Sequence, residues 1–239
     1  SLNANMRGIS LISNNISNSN TTAFKKSYSN FSDIYSKNIG DNPKAFSGMG
    51  VINDTPRKQM FQGPLKQTDG ALDLAISGLG FLTLASANDT GNRFYTRDGS
   101  LGLSNNGEVI NQQGLTLLAH PVVANATYNP AILEKVTIPP SKTDILGNKR
   151  ILTNVNVSPS GVLKAIYGLD EEIVIAKIPL TSFESMESLS SEGNNLFKPT
   201  IQSGEPIVGI ALEKNMGEII PGFLEGSNVE ITDELVKML

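Results

Sequence analysis

The chain has 239 residues, of which 39% are hydrophobic and 18% are charged, and its formal net charge is −4. A chain of this length can bury a substantial hydrophobic core. The negative balance, with basic residues only in scattered pairs, argues against nucleic acid as the main partner. The absence of cysteine excludes disulfides, zinc–thiolate sites and cysteine nucleophiles. No apolar run approaches the roughly 20 residues of a membrane-spanning helix.

The N-terminal segment is predicted to be an amphipathic helix. Its apolar residues recur at spacings of three and four, which is the period of one helical face. These residues are Leu2, Met6, Ile9, Ile12 and Ile16.

The helix runs into the sequence "ISNNISNSNTTAFKK", in which Ser13–Thr22 is Asn, Ser or Thr everywhere except at Ile16. Such side chains compete with the backbone for hydrogen bonds and are poor helix formers. Two interpretations remain open, and both can hold. Residues 18–22 can end the helix and begin a loop. Alternatively, amides on the helix surface, above all Asn14 and Asn15, can bond to the amides of identical packed neighbours.

Residues 31–50 are polar, glycine-bearing and aperiodic, and are predicted to form an extended connector between the helix and a β-rich body. From residue 51 to 225, short β-prone segments alternate with Gly- and Asn-containing turns. In "ALDLAI", Leu72, Leu74 and Ile76 share one strand face. Further strands are predicted at 81–86, 135–138, 152–157, 161–167, 172–179 and 207–212. The sequence "PLTSFESMESL" (179–189) is predicted to be a short helix or an irregular crossing.

The C-terminal segment is again predicted to be helical. Asp233 and Glu234 are first-turn acids, and Leu235, Val236 and Leu239 follow as its apolar residues. The predicted fold class is therefore mostly β, with one sandwich- or barrel-like β domain flanked by N- and C-terminal helices that pair at one end. The predicted divisions are 1–30 (helix and exit turn), 31–50 (connector), 51–225 (β body, with 119–150 as a possible small insertion) and 226–239 (start of the C-terminal helix).

Both helical tails are short, and isolated helices below about 12–15 residues are marginal in water. Their apolar faces must therefore be buried, either within the chain or against other chains. We expect the tails to become ordered on assembly with sister molecules.

Residues suited to catalysis are scarce. His120 is the sole histidine, and a lone histidine is far more often structural than catalytic. The carboxylates fall in turns or on strand faces, where solvated surface is the default. We therefore predict no enzyme, no cofactor, no metal and no small-molecule substrate. A β-rich binding module or adhesin is the alternative from another class, and a carbohydrate-active enzyme ranks last.

Four stretches, taken together and in order, resemble the bacterial flagellar rod and hook proteins. The first is "SLNANMRGISLISNNISNSNTTAFKKSYSNF", and the next two are "FQGPLKQTDGALDLAISGLGFL" and "FYTRDGSLGLSNNGEVINQQGLTLL". The fourth is "GFLEGSNVEITDELVKML". The family usually has Gly where this chain has Ala23, which predicts a tighter or shifted turn. The resemblance carries the family motif onto Asn14, Asn15, Asn18, Asn20, Thr21, Thr22, Phe24 and Lys25, and onto Leu224, Asn228 and Val229.

The resemblance implies a structural, self-assembling subunit of the axial tube in the flagellar basal body, which transmits motor torque for motility. The implied partners are copies of the chain in a helical tube, adjacent rod or hook proteins and the flagellar type III export apparatus. The implied location is the flagellum, either the periplasm-spanning basal body or the extracellular hook. Family members extend further at both termini, so we expect this sequence to be trimmed at its ends. The assembly residues implied are the motif residues together with the apolar residues of both tails.

Rod and hook remain alternatives within the family. The residues around 18–36 are nearer to hook proteins, but hook proteins typically insert a large second β domain after the third motif. Here only about residues 119–149 are available for such an insertion. This architecture favours the distal rod over a hook protein with a reduced outer domain.

Overall fold

The computed structural model describes residues 2–29, 31–33, 51–53, 56–123 and 127–238. Within these ranges the α-helices are α1 (Leu2–Ser17) and α2 (Ile231–Met238), and a 3-10 turn spans Met186–Ser188. The strands in chain order are β1 (Ser27–Tyr28), β2 (Phe31–Asp33), β3 (Val51–Asn53), β4 (Arg57–Lys58), β5 (Leu65–Gln67), β6 (Leu74–Ser77), β7 (Leu82–Ser86), β8 (Asp89–Thr96), β9 (Gly102–Leu103), β10 (Val109–Ile110), β11 (Thr116–Val123), β12 (Thr127–Tyr128), β13 (Glu134–Lys135), β14 (Ser141–Thr143), β15 (Lys149–Val157), β16 (Val162–Tyr167), β17 (Glu171–Lys177), β18 (Pro179–Ser182), β19 (Ser190–Gly193), β20 (Leu196–Lys198), β21 (Ile207–Ile210), β22 (Glu218–Pro221) and β23 (Phe223–Glu225).

One open, antiparallel sheet organises the β body. Its strand order is β14-β15-β16-β17-β11-β7-β8-β20-β19; β10, β12 and β13 also pair with β11, and β9 pairs with β10. The strand β16 illustrates the residue pattern that forms it. Leu163, Ala165 and Tyr167 are buried at every second position, which is the period of a strand with one face toward the core. Short two-stranded pairs, β18–β21, β22–β6 and β23–β5, complete the body.

The main hydrophobic core is formed by residues of this sheet together with residues of the pair β22–β6. Leu74, Ile76, Leu84, Leu163 and Ile219 belong to one buried cluster. Val136 and Ile138 lie in the same cluster, so part of segment 119–150 shares the core of the rest of the body.

A second, aromatic cluster lies next to the place where the termini meet. Phe81 makes edge-to-face contacts with Phe183 and Phe197 at 6.0 Å, and Tyr95 makes one with Phe183 at 4.9 Å. Such pairs add directionality to apolar packing. Met60 belongs to this cluster and lies between β4, which pairs with β1, and β5, which pairs with β23.

The predicted fold class is confirmed: the described chain is mostly β, with helices at both ends that contact each other. The sheet is open at both edges. The segment 179–189 differs from the prediction, because Pro179–Ser182 pairs with β21 as a strand and only Met186–Ser188 is helical. The predicted connector 31–50 lies outside the described residues except for Phe31–Asp33, which pairs with Val51–Asn53. In the described part of the chain, neither helix is long and apolar enough to span a membrane.

Candidate assembly site at the joined termini

The segment that follows α1 is held between the β body and the C-terminal segment. The helix ends at Ser17, and the backbone turns back through residues 18–22. Ala23 then donates its N–H to Glu225 O over 2.7 Å, and Asn228 donates its N–H to Phe24 O over 3.2 Å. Ala23 lies in the left-handed region with φ 55°, where glycine is normally favoured. The interpretation in which residues 18–22 end the helix is therefore confirmed.

The side chains that hold this junction form what we call the terminal clasp. It consists of Asn15, Lys25, Lys26, Glu225, Asn228 and Glu234, all of which are buried.

Glu225 is the centre of the terminal clasp. Its carboxylate accepts a hydrogen bond from Lys25 Nζ, another from Arg97 Nε over 2.6 Å, and a third from the Gly63 N–H over 2.9 Å. Glu225, Lys25 and Arg97 are each at most 3% exposed. A charge this deeply buried is tolerated only when it is paired and hydrogen-bonded. One carboxylate thus joins the N-terminal segment, the β body and the C-terminal segment.

Arg97 anchors this carboxylate to the sheet. Besides Glu225, its guanidinium donates to the carbonyls of Gly78 and Gly80 over 2.9 Å each and to Ile76 O over 2.7 Å. These four bonds use the planar fork of the guanidinium, a geometry that lysine does not have. Arg97 therefore fixes the position of Glu225 relative to the turn after β6.

Two asparagines satisfy the backbone of the segment that crosses the clasp. Asn228 accepts from the Lys26 N–H over 2.7 Å and donates to Gln59 O and Phe61 O. Asn15 donates to Ser27 O over 2.9 Å, donates to Glu234 Oε2 over 2.8 Å, and accepts from the Ser27 N–H over 2.9 Å. All of these bonds lie within the chain. Asn15 is therefore not available for lateral bonding to neighbouring copies in this conformation.

Glu234 joins the two helices. Lys26 Nζ lies 2.6 Å from Glu234 Oε1, and Lys237 one turn later lies 3.1 Å from the same atom. Burial alone would raise the pKa of Glu234, but the hydrogen bonds from Lys26, Asn15 and Lys237 outweigh it and lower that pKa. Burial likewise acts to lower the pKa of Lys26, and the ion pair with Glu234 outweighs it and raises that pKa. The charged forms of both groups are therefore favoured here.

Lys25 behaves differently from Lys26. Burial lowers its pKa below the ordinary lysine value, the charge of Glu225 opposes this shift, and the nearby charge of Arg97 adds to it. Its remaining bond, to Phe61 O over 2.9 Å, compensates part of its desolvation. The ammonium group thus depends on Glu225 for its place in the interior.

Beyond the clasp, the helices present apolar side chains to solvent. Met6 is 63% exposed and Ile9 50% exposed on α1, and Leu235 is 48% and Val236 71% exposed on α2. Exposed apolar side chains that are clustered on a helix face mark interaction surfaces. The two tails are therefore joined to each other but keep an uncovered apolar stripe.

The predicted assembly residues separate into three groups by burial. Exposed residues are Met6, Ile9, Asn14, Asn20, Leu235 and Val236; half-buried residues are Ile12, Ile16, Asn18, Thr21, Thr22 and Leu224; buried residues are Asn15, Phe24, Lys25, Asn228 and Val229. Leu2 begins α1, and Leu239 lies outside the described residues. The buried residues make contacts within the chain, and the exposed ones remain open to a partner.

Sequence reasoning missed Arg97, Glu225, Lys26 and Glu234 as members of one network. A weak signal was present, because Glu225 stands alone between apolar and small residues in "GFLEGSNV". His120 has a structural position: its Nδ1 lies 2.7 Å from Ile132 O, and its ring stacks on Tyr128 at 5.8 Å.

Comparison with known proteins finds similarity to flagellar rod and hook proteins. The pattern of the family described as "Flagellar hook protein FlgE/F/G D1 domain" matches residues 75–165. The flagellar basal-body rod protein FlgG of Buchnera aphidicola subsp. Acyrthosiphon pisum is 30% identical over 250 residues, covering 100% of this chain and 86% of the relative. The protein of the same name from Borreliella burgdorferi is 30% identical, covering 99% of this chain and 84% of the relative. The flagellar hook protein FlgE of Caulobacter vibrioides is 38% identical over 139 residues, which is 54% of this chain but 23% of that relative.

The chain belongs to the flagellar rod and hook protein family. It is a structural protein of the bacterial flagellum, with a β body and paired terminal helices. Within the family it is most like the rod, because similarity to these rod proteins extends over nearly the whole of both chains, whereas similarity to the hook protein covers under a quarter of that relative. The prediction of a flagellar axial structural subunit, nearer to rod than to hook, is confirmed.

Proposed function

We propose that this chain builds the flagellar rod by self-assembly through the exposed stripe of its two terminal helices, and that it thereby transmits motor torque. The observation that carries this proposal is the combination of an intramolecular clasp with uncovered apolar residues on α1 and α2. Covering Met6, Ile9, Leu235 and Val236 against copies of the chain removes apolar surface from water, which is the main driving force of association. The half-buried and exposed predicted residues from Ile12 to Thr22 extend the same surface.

The domain division follows from these roles. We propose residues 1–30 and 226–239 as the assembly module, 31–50 as a connector and 51–225 as the body that makes lateral contacts. The terminal clasp joins module and body, so that a load on the helices reaches the sheet through Glu225 and Arg97. Adjacent rod or hook proteins and the flagellar type III export apparatus complete the proposed partners.

We further propose that the chain has no enzymatic activity and binds neither nucleic acid nor a small-molecule substrate. Membership in a family of structural proteins supports this proposal. The structural position of His120 also supports it, because its Nδ1 lies against a backbone carbonyl and its ring lies against Tyr128.

The test uses the natural full-length protein with one charge placed on either helix. Met6→Glu and Val236→Glu should prevent filament formation, measured by sedimentation and electron microscopy, because each buries a carboxylate in an apolar contact. Asn105→Glu adds the same charge at an exposed turn of the β body and should assemble normally. Normal filaments from both helix variants would contradict the proposal.

The variants must also remain folded for the result to be decisive. Met6 and Val236 are mostly exposed, so their replacement should change the free energy of unfolding by less than about 0.5 kcal/mol. Thermal unfolding followed by circular dichroism checks this directly. A variant that assembles poorly but melts like the parent chain locates the defect in association.

A further inference from the structure

The far end of the β body carries an apolar surface that the terminal helices do not explain. Ile145 and Leu146, in the turn between β14 and β15, are 103% and 80% exposed. Leu169, in the turn between β16 and β17, is 96% exposed, and Ile151 is 65% exposed. We call these four residues the tip.

The tip residues lie together at one end of the sheet, because the turn that bears Leu169 is hydrogen-bonded to β15, the strand that follows the turn bearing Ile145 and Leu146. Gly168 donates its N–H to Ile151 O over 2.9 Å, which places the turn bearing Leu169 beside Ile151. Ile151 in turn lies opposite Ser141, at the start of the hairpin whose turn carries Ile145 and Leu146. Large aliphatic side chains are normally the residues that a fold buries.

A second apolar surface lies elsewhere on the same body. It consists of Leu79, Ile207, Val208 and Leu212, which are between 39% and 58% exposed. We call these residues the patch. The Gly217 N–H donates to Leu79 O over 2.7 Å and the Leu212 N–H to Gly217 O over 2.9 Å, so the members are neighbours.

The patch has a concave form and a constrained backbone. Leu79, Ile207 and Val208 line a depression of about 470 Å³ together with Met216. Leu212 lies at φ 70°, a conformation that costs energy for a residue other than glycine, and it begins a turn in which Lys214 and Asn215 also have positive φ. The turn therefore holds Leu212 outward at the rim of the depression.

Tip and patch lie at opposite ends of one strand. The turn before β16 is bonded to the elements beside the patch, since the Ile219 N–H donates to Pro159 O and the Ile178 N–H donates to Gly161 O. The other end of β16, at Tyr167, leads directly into the tip. Six strand residues separate the two ends by about 20 Å. The tip of a chain therefore cannot cover its own patch.

The charges around the two surfaces are complementary. Lys149 lies beside the aliphatic side chains of the tip, where Arg150 is paired with Asp144, while Glu213 lines the depression and Glu205 lies two residues before Ile207. The opposite pairing is also present. Asp170 follows Leu169 at the tip, and Lys214 lines the depression at the patch. Such complementarity selects a partner and fixes its orientation.

We propose that the tip of one copy of this chain docks onto the patch of the next copy. The inference rests on the proposed self-assembly and assigns it a second, body-to-body contact. Because the two surfaces differ and lie at opposite ends of the body, the contact is heterologous and generates an open helical array rather than a closed dimer. Each surface is too small to hold an isolated pair, so the contact forms where the terminal helices already bring copies together.

The first test is cross-linking between unlike chains. The chain has no cysteine, so Leu169→Cys and Ile207→Cys variants of the full-length protein each carry one thiol. Mixed in equal amounts, assembled and treated with a short bis-maleimide, they should yield mainly cross-links between the two variants. Ile201→Cys, which is 102% exposed and outside both surfaces, should cross-link poorly to either variant.

The outcomes of this test separate the inference from the proposed function. Filaments with cross-links only between like chains, or with none, overturn the tip-to-patch contact and leave self-assembly standing. Failure of the unsubstituted full-length protein to form filaments overturns self-assembly, and the contact with it.

The second test measures the critical concentration for assembly. Leu169→Asp should raise it about tenfold, because an aliphatic contact is replaced by a buried charge, whereas Ile201→Asp should leave it unchanged. The double variant L169D/I207K should assemble at lower concentration than L169D, because each new charge meets its opposite on the neighbouring copy. An unchanged critical concentration for L169D would overturn the inference.

Discussion

Replacing Glu225 by Gln should destabilise the protein more than the loss of a single ion pair suggests. Glu225→Gln keeps the size and part of the hydrogen bonding of the side chain but removes the one negative charge shared by Lys25 and Arg97. Both cations are then left in the interior, where they are 1% and 3% exposed.

The magnitude follows from the contacts that survive. Removing one partner of a buried ion pair costs about 3–5 kcal/mol. Arg97 keeps its three carbonyl acceptors and Lys25 keeps Phe61 O, so the lower end of that range applies. A loss of about 3 kcal/mol changes the ratio of folded to unfolded protein about 150-fold. For a chain of this size it lowers the melting temperature by about 6–12 °C.

The assay is thermal or urea unfolding of Glu225→Gln beside two comparison variants. Lys25→Met leaves Glu225 and Arg97 as a balanced pair, so it should cost less than Glu225→Gln. Glu172→Gln removes an exposed ion pair, in which the side chain of Glu172 is 50% exposed and that of Lys164 is 40% exposed. Its loss should cost less than about 1 kcal/mol. If Glu225→Gln cost no more than Glu172→Gln, the view of Glu225 as the shared counter-charge would be refuted.

Three further predictions address other parts of the molecule. The folded-state pKa of Glu234 is lowered, so its contribution to stability is present above its unfolded pKa and is lost as the pH falls through the folded value. The melting temperature measured from pH 6 to pH 3 should therefore fall less steeply for Glu234→Gln than for the parent chain. Gly99→Ala should cost about 1–3 kcal/mol in a urea titration, because a Cβ there would overlap the Leu74 carbonyl oxygen, whereas Gly102→Ala, with no neighbour within 4 Å, should be tolerated. Leu163→Ala should lower the free energy of unfolding by about 2–5 kcal/mol through the cavity it leaves; a loss below 1 kcal/mol by calorimetry would argue against the core described above.

Local patterns sufficed for the elements whose cause is local. The three- and four-residue spacing of apolar side chains predicted α1, and the polar run after Ile16 predicted its end at residues 18–22. The strands predicted at 152–157 and 161–167 are present and pair as the hairpin β15–β16. The prediction of a short helix or irregular crossing at Pro179 was wrong, because the segment forms a strand by pairing with β21, about thirty residues later in the chain.

The clasp could not be predicted in this way, because its contacts join distant parts of the sequence. Asn15 and Glu234 are 219 residues apart, and Arg97 and Glu225 are 128 apart. Neither spacing nor composition indicates which carboxylate will meet which cation when such separations are involved. The family motif marked Asn15, Lys25 and Asn228 as special, but their contacts proved to be internal ones. Resemblance to a family motif therefore did not distinguish a residue that contacts a neighbour from one that makes contacts within its own chain.

Because the terminal clasp is buried, dissolved salt should have little effect on it. Dissolved ions weaken attraction between charges at a protein surface but act much less on pairs enclosed in the interior. The ions that join helices to sheet here are enclosed, since Glu225 and Glu234 are at most 1% exposed. The ion pairs of Glu225 should therefore change little with ionic strength, and sensitivity to salt should arise at exposed pairs such as that of Lys237 with Glu234.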